Sequence, residues 1–279
     1  MKKNLLILGS SSFIGNVLYK NLCSEYNISD HNSKICNFLN PKEVREFSTK
    51  FDDNIKVLFT LSLRPKSIID LDKMKKNYKM IENFIKFFTK KKNLKIIFFS
   101  TIDVYINNKN QIINEETQVY NNNFYAQSKI LSENLLKKKI NNQKLTIFRL
   151  PGVYGPGDNY QSAIGQMVKS AIKKNKIILN SNNLKRDYLY VDDLVKITKF
   201  FLNNNAFGVY NLVKGKSETI GVTAKHIQSL INCNIETVNS LNKKNQYDLI
   251  FDNYKIKKII RKIIFTSTKN GIQKYIKFL

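Results

Sequence analysis

Tyr125 and Lys129 stand four residues apart in Tyr125-Ala126-Gln127-Ser128-Lys129, a spacing that puts both on one face of a helix. A phenol titrates near ~10 in water, and an ammonium beside it favours the phenolate, which brings the group towards proton exchange near neutrality. The spacing recurs in Tyr105/Lys109, Tyr210/Lys214 and Tyr254/Lys258 in this lysine-rich chain, so it carries little alone. Surroundings distinguish Tyr125. The apolar run Leu94 to Phe99 reads as a buried strand, Ser100-Thr101 follows it, and a helix headed by Tyr125 returns the phenol to the carboxyl end of that strand. There the Thr101 hydroxyl can share a substrate oxygen with the phenol; the alternative for Thr101 is a plain strand cap.

A second chemical feature opens the chain. Gly9-Ser10-Ser11-Ser12-Phe13-Ile14-Gly15 follows the apolar run Leu5 to Leu8 and precedes the helix-like Asn16 to Leu22. Strand, small-residue turn and helix start make a phosphate cradle, where backbone N–H groups and the helix dipole face an anion. The usual fingerprint has three glycines, and Ser12 takes the place of the middle one, which leaves open a plain strand-to-helix turn. Asp30 lies about 20 residues past Gly9, where an acid meets the adenosine ribose hydroxyls. His31 after it, rather than arginine, favours NAD, with NADP as the alternative because Lys34 is close.

Elements that must position these residues follow from the apolar pattern. Runs at Leu5 to Leu8, Ile55 to Leu61, Leu94 to Phe99 and Leu145 to Leu150 alternate with amphipathic stretches at Pro41 to Phe51, Met74 to Phe88 and Ser128 to Ile140. Continuous apolar strands are buried on both faces, so the fold class is α/β, a doubly wound parallel sheet with right-handed crossovers. After Leu150 the turn-rich Pro151-Gly152-Val153-Tyr154-Gly155-Pro156-Gly157 marks the exit towards a second lobe. Asp192 and Asp193 are expected to open a helix over Leu194 to Phe201. From Ser217 onward helix-like pieces mix with strand-like ones such as Leu249-Ile250-Phe251.

Composition narrows the classes. A chain of 279 residues with 42% hydrophobic residues can fill a core. No apolar stretch approaches the ~20 residues of a membrane span, and the opening residues are too few for a signal peptide, so a cytoplasmic protein is expected. Cys23, Cys36 and Cys233 lack framework or zinc spacing, and with only His31 and His226 no metal centre is expected. The net charge of +26 raises nucleic acid as a partner. Lysine and asparagine are nevertheless spread along the whole chain, as in Lys137-Lys138-Lys139 and Asn121-Asn122-Asn123, which reads as general surface bias; nucleic acid is not the expected partner.

Taken in order, these blocks resemble the extended short-chain dehydrogenase/reductases of the NAD-dependent epimerase/dehydratase family, which act on nucleotide sugars. The resemblance runs from residue 1 to about residue 215. It is carried by the glycine loop, Lys76-Asn77-Tyr78, Phe99-Ser100-Thr101 with Val104-Tyr105, Tyr125 with Lys129, Arg149 to Asp158 and Arg186-Asp187-Tyr188-Leu189-Tyr190-Val191-Asp192-Asp193. It implies a Rossmann-type dinucleotide domain over 1–153 and about 188–215, and a smaller C-terminal substrate lobe over about 154–187 and 216–279. It implies that Thr101 bonds the reacting sugar oxygen, that Tyr125 exchanges its proton, that Lys129 holds the nicotinamide ribose and tunes Tyr125, and that Asn77 orders the relay. Gly9, Ser12, Phe13, Ile14, Gly15 and Asp30 would hold the cofactor, with Asn37, after a short strand at Ile35, near the adenine. Arg186 would grip the substrate diphosphate, as a planar guanidinium suits phosphate oxygens; a structural pair with Asp187 is the alternative.

The resemblance also implies a homodimer through the helices near Met74 to Phe88 and Phe124 to Lys139, with Ile81, Phe84, Ile85 and Phe88 as the apolar motif. It leaves three reactions: reduction of a keto sugar, epimerisation, or dehydration. Dehydratases of the family carry Asp-Glu after the threonine, whereas Ile102-Asp103 stands here and Ile102 cannot donate a proton. The expected activity is a nucleotide-sugar 4-ketoreductase, with a 4-epimerase as the alternative. A noncatalytic nucleotide- or RNA-binding protein is the alternative of another class.

Overall fold

A computed structural model describes residues 2–63, 70–105, 111–238 and 247–279. In chain order its elements are β1 (Lys3–Leu8), α1 (Phe13–Leu22), β2 (Tyr26–His31), α2 (Pro41–Thr49), β3 (Lys56–Phe59), α3 (Leu71–Phe88), β4 (Lys95–Thr101), α4 (Phe124–Lys139) and β5 (Leu145–Leu150). There follow β6 (Gly152–Tyr154), α5 (Ala163–Lys174), β7 (Lys176–Leu179), β8 (Lys185–Arg186), β9 (Tyr188–Tyr190), α6 (Val191–Asn203) and β10 (Gly208–Asn211). The chain closes with β11 (Glu218–Thr219), α7 (Ile220–Gln228), β12 (Asn234–Thr237), α8 (Tyr254–Ile260) and α9 (Thr268–Phe278). Among the described residues no helix is long and apolar enough to cross a membrane.

Two compact units divide these elements. The first comprises Met1–Ile106, Gln118–Arg149 and Lys199–Tyr210, and the second Asn107–Thr117, Leu150–Thr198 and Asn211–Leu279. The first is built on a six-stranded parallel sheet in the order β10-β5-β4-β3-β1-β2. In register, Leu5 to Leu8 pair with Ile28 to His31 on one side and with Lys56 to Phe59 on the other. Strand order reverses at β1, so the crevice beyond the carboxyl ends of β1 and β3 is the ligand position of an open parallel sheet. The apolar runs form strands because both faces are covered: every residue of β5 is buried, as are six of seven in β4.

Helix starts follow local chemistry. Ser12, Asn40, Asp70 and Asn123 each turn a side-chain oxygen onto an amide of the first turn, and Pro41 supplies a pre-set φ at the head of α2. Acids open α6 as expected, although the helix begins at Val191 and so takes Asp192 and Asp193 into its first turn. The Asp193 carboxylate accepts from Thr266 N at 2.6 Å and from Thr266 Oγ1 at 2.9 Å, and burial pushes its pKa up. It is a structural acid. The strand-like Leu249-Ile250-Phe251 forms no strand; Phe251 makes a single parallel bridge with Ile113.

One sequence expectation changes its meaning in three dimensions. Ile81, Phe84, Ile85 and Phe88 of α3 are buried within the first unit, Phe84 and Phe88 completely. The Phe84 and Phe88 rings stack at 4.8 Å, and Phe38 stacks on Phe88 at 6.5 Å. These four side chains therefore fill the unit's own core, and any homodimer would have to use other residues of α3 and α4. Cutting a ring of this kind to alanine costs about 3–5 kcal/mol.

Candidate active site

The glycine loop leaves β1 after Leu8. Gly9 has φ +91°, and a Cβ there would lie 2.8 Å from Thr60 Oγ1 and 3.0 Å from Leu61 N, so both conformation and space require glycine. A Cβ on Gly15 would lie 2.2 Å from Gly9 O, so the head of α1 presses directly on the loop backbone. Amides of Gly9 and Ser10 both donate to His31 O, at 3.1 and 3.0 Å, and strap the loop to the end of β2. Ser12, the residue in place of the middle glycine, has φ −76° and ψ 162°, a conformation open to any residue. Its hydroxyl accepts from Gly15 N at 3.2 Å, so a cap stands where the fingerprint has a glycine. The Phe13 and Ile14 amides that follow belong to the first helical turn, which has no intrahelical acceptor. An N-terminal turn of this kind with its dipole suits a pyrophosphate.

Asp30 is exposed at the end of β2 and accepts from Ser10 Oγ at 3.2 Å. His31 turns the other way. It is wholly buried, with its Nε2 2.7 Å from Cys36 O and its ring edge-on to Phe38, and burial pushes its pKa down. The residue after the acid thus lies in the core. Asn37 follows no strand: Ile35 and Cys36 amides turn back to Asn32 O, and Asn37 lies in the turn before α2, its amide donating to Glu43 Oε2 at 2.7 Å. A turn forms because Asn32 and Asn37 both accept from amides two residues on.

Thr101 ends β4 and Tyr125 is the second residue of α4. Thr101 Oγ1 accepts from Asp103 N at 3.1 Å, which orients the side chain and leaves its proton to donate. Asn123 Oδ1 receives Tyr125 N at 2.7 Å, so the tyrosine is fixed in the first turn of the helix. Lys129 is buried, donates to Phe99 O at 2.9 Å, and holds its Nζ 5.9 Å from the centre of the Tyr125 ring and 4.9 Å from that of Phe98. The competing tyrosines are differently placed. Tyr105 is buried and receives Arg149 Nη1 at 2.6 Å, Tyr210 donates to Phe207 O at 2.9 Å, and Tyr254 is 69% exposed. Lys109 lies outside the described residues.

Asn77 is buried inside α3, which begins six residues earlier than it. Its Oδ1 accepts from Leu63 N at 2.7 Å and its Nδ2 donates to Leu63 O at 3.2 Å. The amide clamps the chain after β3 in both directions, so the side chain holds that segment. Thr60, which sequence reading missed, donates to Leu8 O at 2.7 Å and faces Gly9; its only signal was its place at the end of an apolar run. Ile102 is buried directly after Thr101.

Arg186 belongs to the second unit. It lies in β8 opposite Glu218 of β11, and its Nη1 donates to the carbonyls of Lys185 and Tyr247 at 2.8 and 2.7 Å. Asp187 beside it accepts from the amides of Lys214 and Gly215, at 3.2 and 2.9 Å, so its carboxylate is committed to the backbone.

Comparison with known proteins places this geometry in context. Residues 5–212 match the NAD dependent epimerase/dehydratase family. An ADP-L-glycero-D-manno-heptose-6-epimerase from Brachyspira hyodysenteriae is 28% identical over 222 residues, which cover 74% of this chain and 69% of that protein. Among solved structures, an NAD-dependent NDP-hexosamine 5,6-dehydratase involved in tunicamycin biosynthesis superposes with a TM-score of 0.84 at 19% identity, covering 99% and 97% of the two chains. A dTDP-4-dehydrorhamnose reductase from Bacillus anthracis, solved with NADP, gives 0.82 at 17% identity and covers 100% of each chain.

Proposed function

The chain belongs to the NAD dependent epimerase/dehydratase family, and on that premise we propose that it moves hydride between NAD or NADP and a carbon of a nucleotide sugar, with reduction of a C4 ketone as its net reaction. The carrying observation is the grouping at the ends of β4 and α4, a hydroxyl on Thr101, a phenol on Tyr125 and a buried ammonium on Lys129.

The cradle would take the dinucleotide's pyrophosphate at the first turn of α1, where Phe13 and Ile14 offer their amides, and the absent side chains of Gly9 and Gly15 let that helix start pack closely against the loop. Asp30 would meet the adenosine ribose, with Asn37 nearer the adenine, and Lys129 would hold the nicotinamide ribose. When bound, the reduced cofactor supplies the hydride. Thr101 hydrogen-bonds the sugar carbonyl oxygen through its hydroxyl, keeping its own proton, and orients it. Tyr125 then gives its phenolic proton to the oxygen that becomes an alkoxide, and the Lys129 ammonium favours the phenolate left behind. Asn77 acts at one remove, by holding the segment at Leu63. Arg186 is assigned to the substrate diphosphate. Burial of Ile102 next to Thr101 supports the exclusion of dehydration, because no proton donor stands there for a leaving hydroxyl.

Epimerisation is the second reading, favoured by the heptose-6-epimerase relative. The test supplies purified protein with a nucleotide-linked 4-keto-6-deoxy hexose and NADH or NADPH. Consumption of reduced cofactor with a C4 alcohol as product is expected. Interconversion of a nucleotide hexose with its epimer, without added reduced cofactor, would establish the second reading instead. A 4-keto-6-deoxy product from a nucleotide hexose would overturn the argument from Ile102.

A further inference from the structure

A carboxylate and a guanidinium lie buried directly behind the reacting groups. Glu133 is 1% exposed and Arg149 2%, and they meet as a fork, Arg149 Nε to Glu133 Oε1 at 3.1 Å and Nη2 to Oε2 at 2.7 Å. Glu133 follows Lys129 by one helical turn and Tyr125 by two, on the same face of α4. Its Oε1 also accepts from Ser100 Oγ at 2.6 Å, and Oε2 lies 3.5 Å from Lys137 Nζ. Arg149 is the penultimate residue of β5, and its third donor, Nη1, reaches Tyr105 Oη at 2.6 Å with the guanidinium 5.0 Å over that ring.

The consequence is geometric. Ser100 and Tyr105 bracket Thr101, and both are tied to one ion pair: Ser100 through Glu133, Tyr105 through Arg149. Phe99 immediately before them is tied to the same helix by Lys129. We propose that the Glu133–Arg149 pair is a positioning device that sets the Thr101 hydroxyl of β4 against the Tyr125 phenol of α4. A buried ion pair is a poor source of stability, because apolar residues of similar volume usually do as well once desolvation is counted. Its directional bonds are what apolar packing could not reproduce. The pair also balances charge: an unpaired Glu133 carboxylate one turn from Lys129 would oppose the phenolate that the ammonium favours.

This inference rests on the reading of Thr101 and Tyr125 as the reacting pair. Its test is Ser100→Ala, which removes one hydroxyl and leaves the ion pair whole, assayed with a nucleotide-linked 4-keto-6-deoxy hexose and NADH or NADPH. Displacements of about 1 Å in a reacting geometry can cost up to ~100-fold. For this single link kcat is expected to fall about tenfold, with KM and the Kd for reduced cofactor within about twofold, and Ser100→Thr, which keeps the hydroxyl, is expected to restore kcat. A wild-type kcat in Ser100→Ala, whatever its melting temperature, overturns the proposal. Should the wild-type protein turn over none of these sugars, the functional reading fails by itself and crystal structures decide the positioning: a shift of Thr101 Oγ1 against Tyr125 Oη by about 1 Å in Ser100→Ala supports it, and superimposable positions overturn it.

Discussion

Tyr125→Phe is expected to lower turnover by about a thousandfold while leaving the affinity for reduced cofactor within about twofold. The substitution removes the proton that reaches the sugar oxygen and almost no volume, and the Asn123 cap on the Tyr125 amide and the Lys129 bond to Phe99 O are both kept. Cofactor affinity is read by fluorescence titration and turnover by loss of reduced cofactor. Tyr254→Phe is the control, because that ring is 69% exposed and its removal should leave turnover unchanged. Equal damage from the two substitutions would show that the wrong tyrosine has been assigned.

The second large effect is expected at Gly15. In Gly15→Ala the new methyl would stand 2.2 Å from Gly9 O, a backbone atom that cannot rotate aside, so α1 must lift off the loop. Cofactor binding measured by calorimetry should weaken by about a hundredfold or more, because the amides of Phe13 and Ile14 move with the helix. Ser12→Ala serves as contrast. It removes only the cap onto Gly15 N, with a stability loss of about 1 kcal/mol and a small change in affinity. If Gly15→Ala binds cofactor as the wild type does, the loop is a plain strand-to-helix turn and the cradle assignment falls.

Much of this was legible in the residues. The apolar runs led to β1, β3, β4 and β5 within a few residues, because strands buried on both faces carry continuous apolar sequence. β2 escaped that reading: Tyr26-Asn27-Ile28-Ser29-Asp30-His31 lies at the edge of the sheet, is exposed at three of its six positions, and lacks an apolar run. Asn77 and Asn37 could be found by order in the chain but not understood from it, since an asparagine clamping a backbone and one closing a turn read alike in sequence. The aromatic row on α3 misled for a related reason: periodicity shows that a face is buried and is silent about what covers it, and here the cover includes Phe38, Phe47 and Phe59 of the same unit. Ser12 departs from the fingerprint in residue type alone, since the backbone at that position needs no glycine.

The order in which the chain emerges during synthesis bears on the first unit in a further way. Its sixth strand, β10, is made only after the excursion over Leu150–Thr198 into the second unit. Until residues 208–211 have been added, β5 is the terminal strand of an incomplete sheet, all of its residues apolar or destined for burial and its hydrogen-bonding edge open. The return of Lys199–Tyr210 closes that edge and also brings Lys199 to Glu25 and Asn203 to Tyr26, the latter pair at 2.7 Å. A nascent chain stalled before β10 therefore displays the kind of edge that recruits other strands.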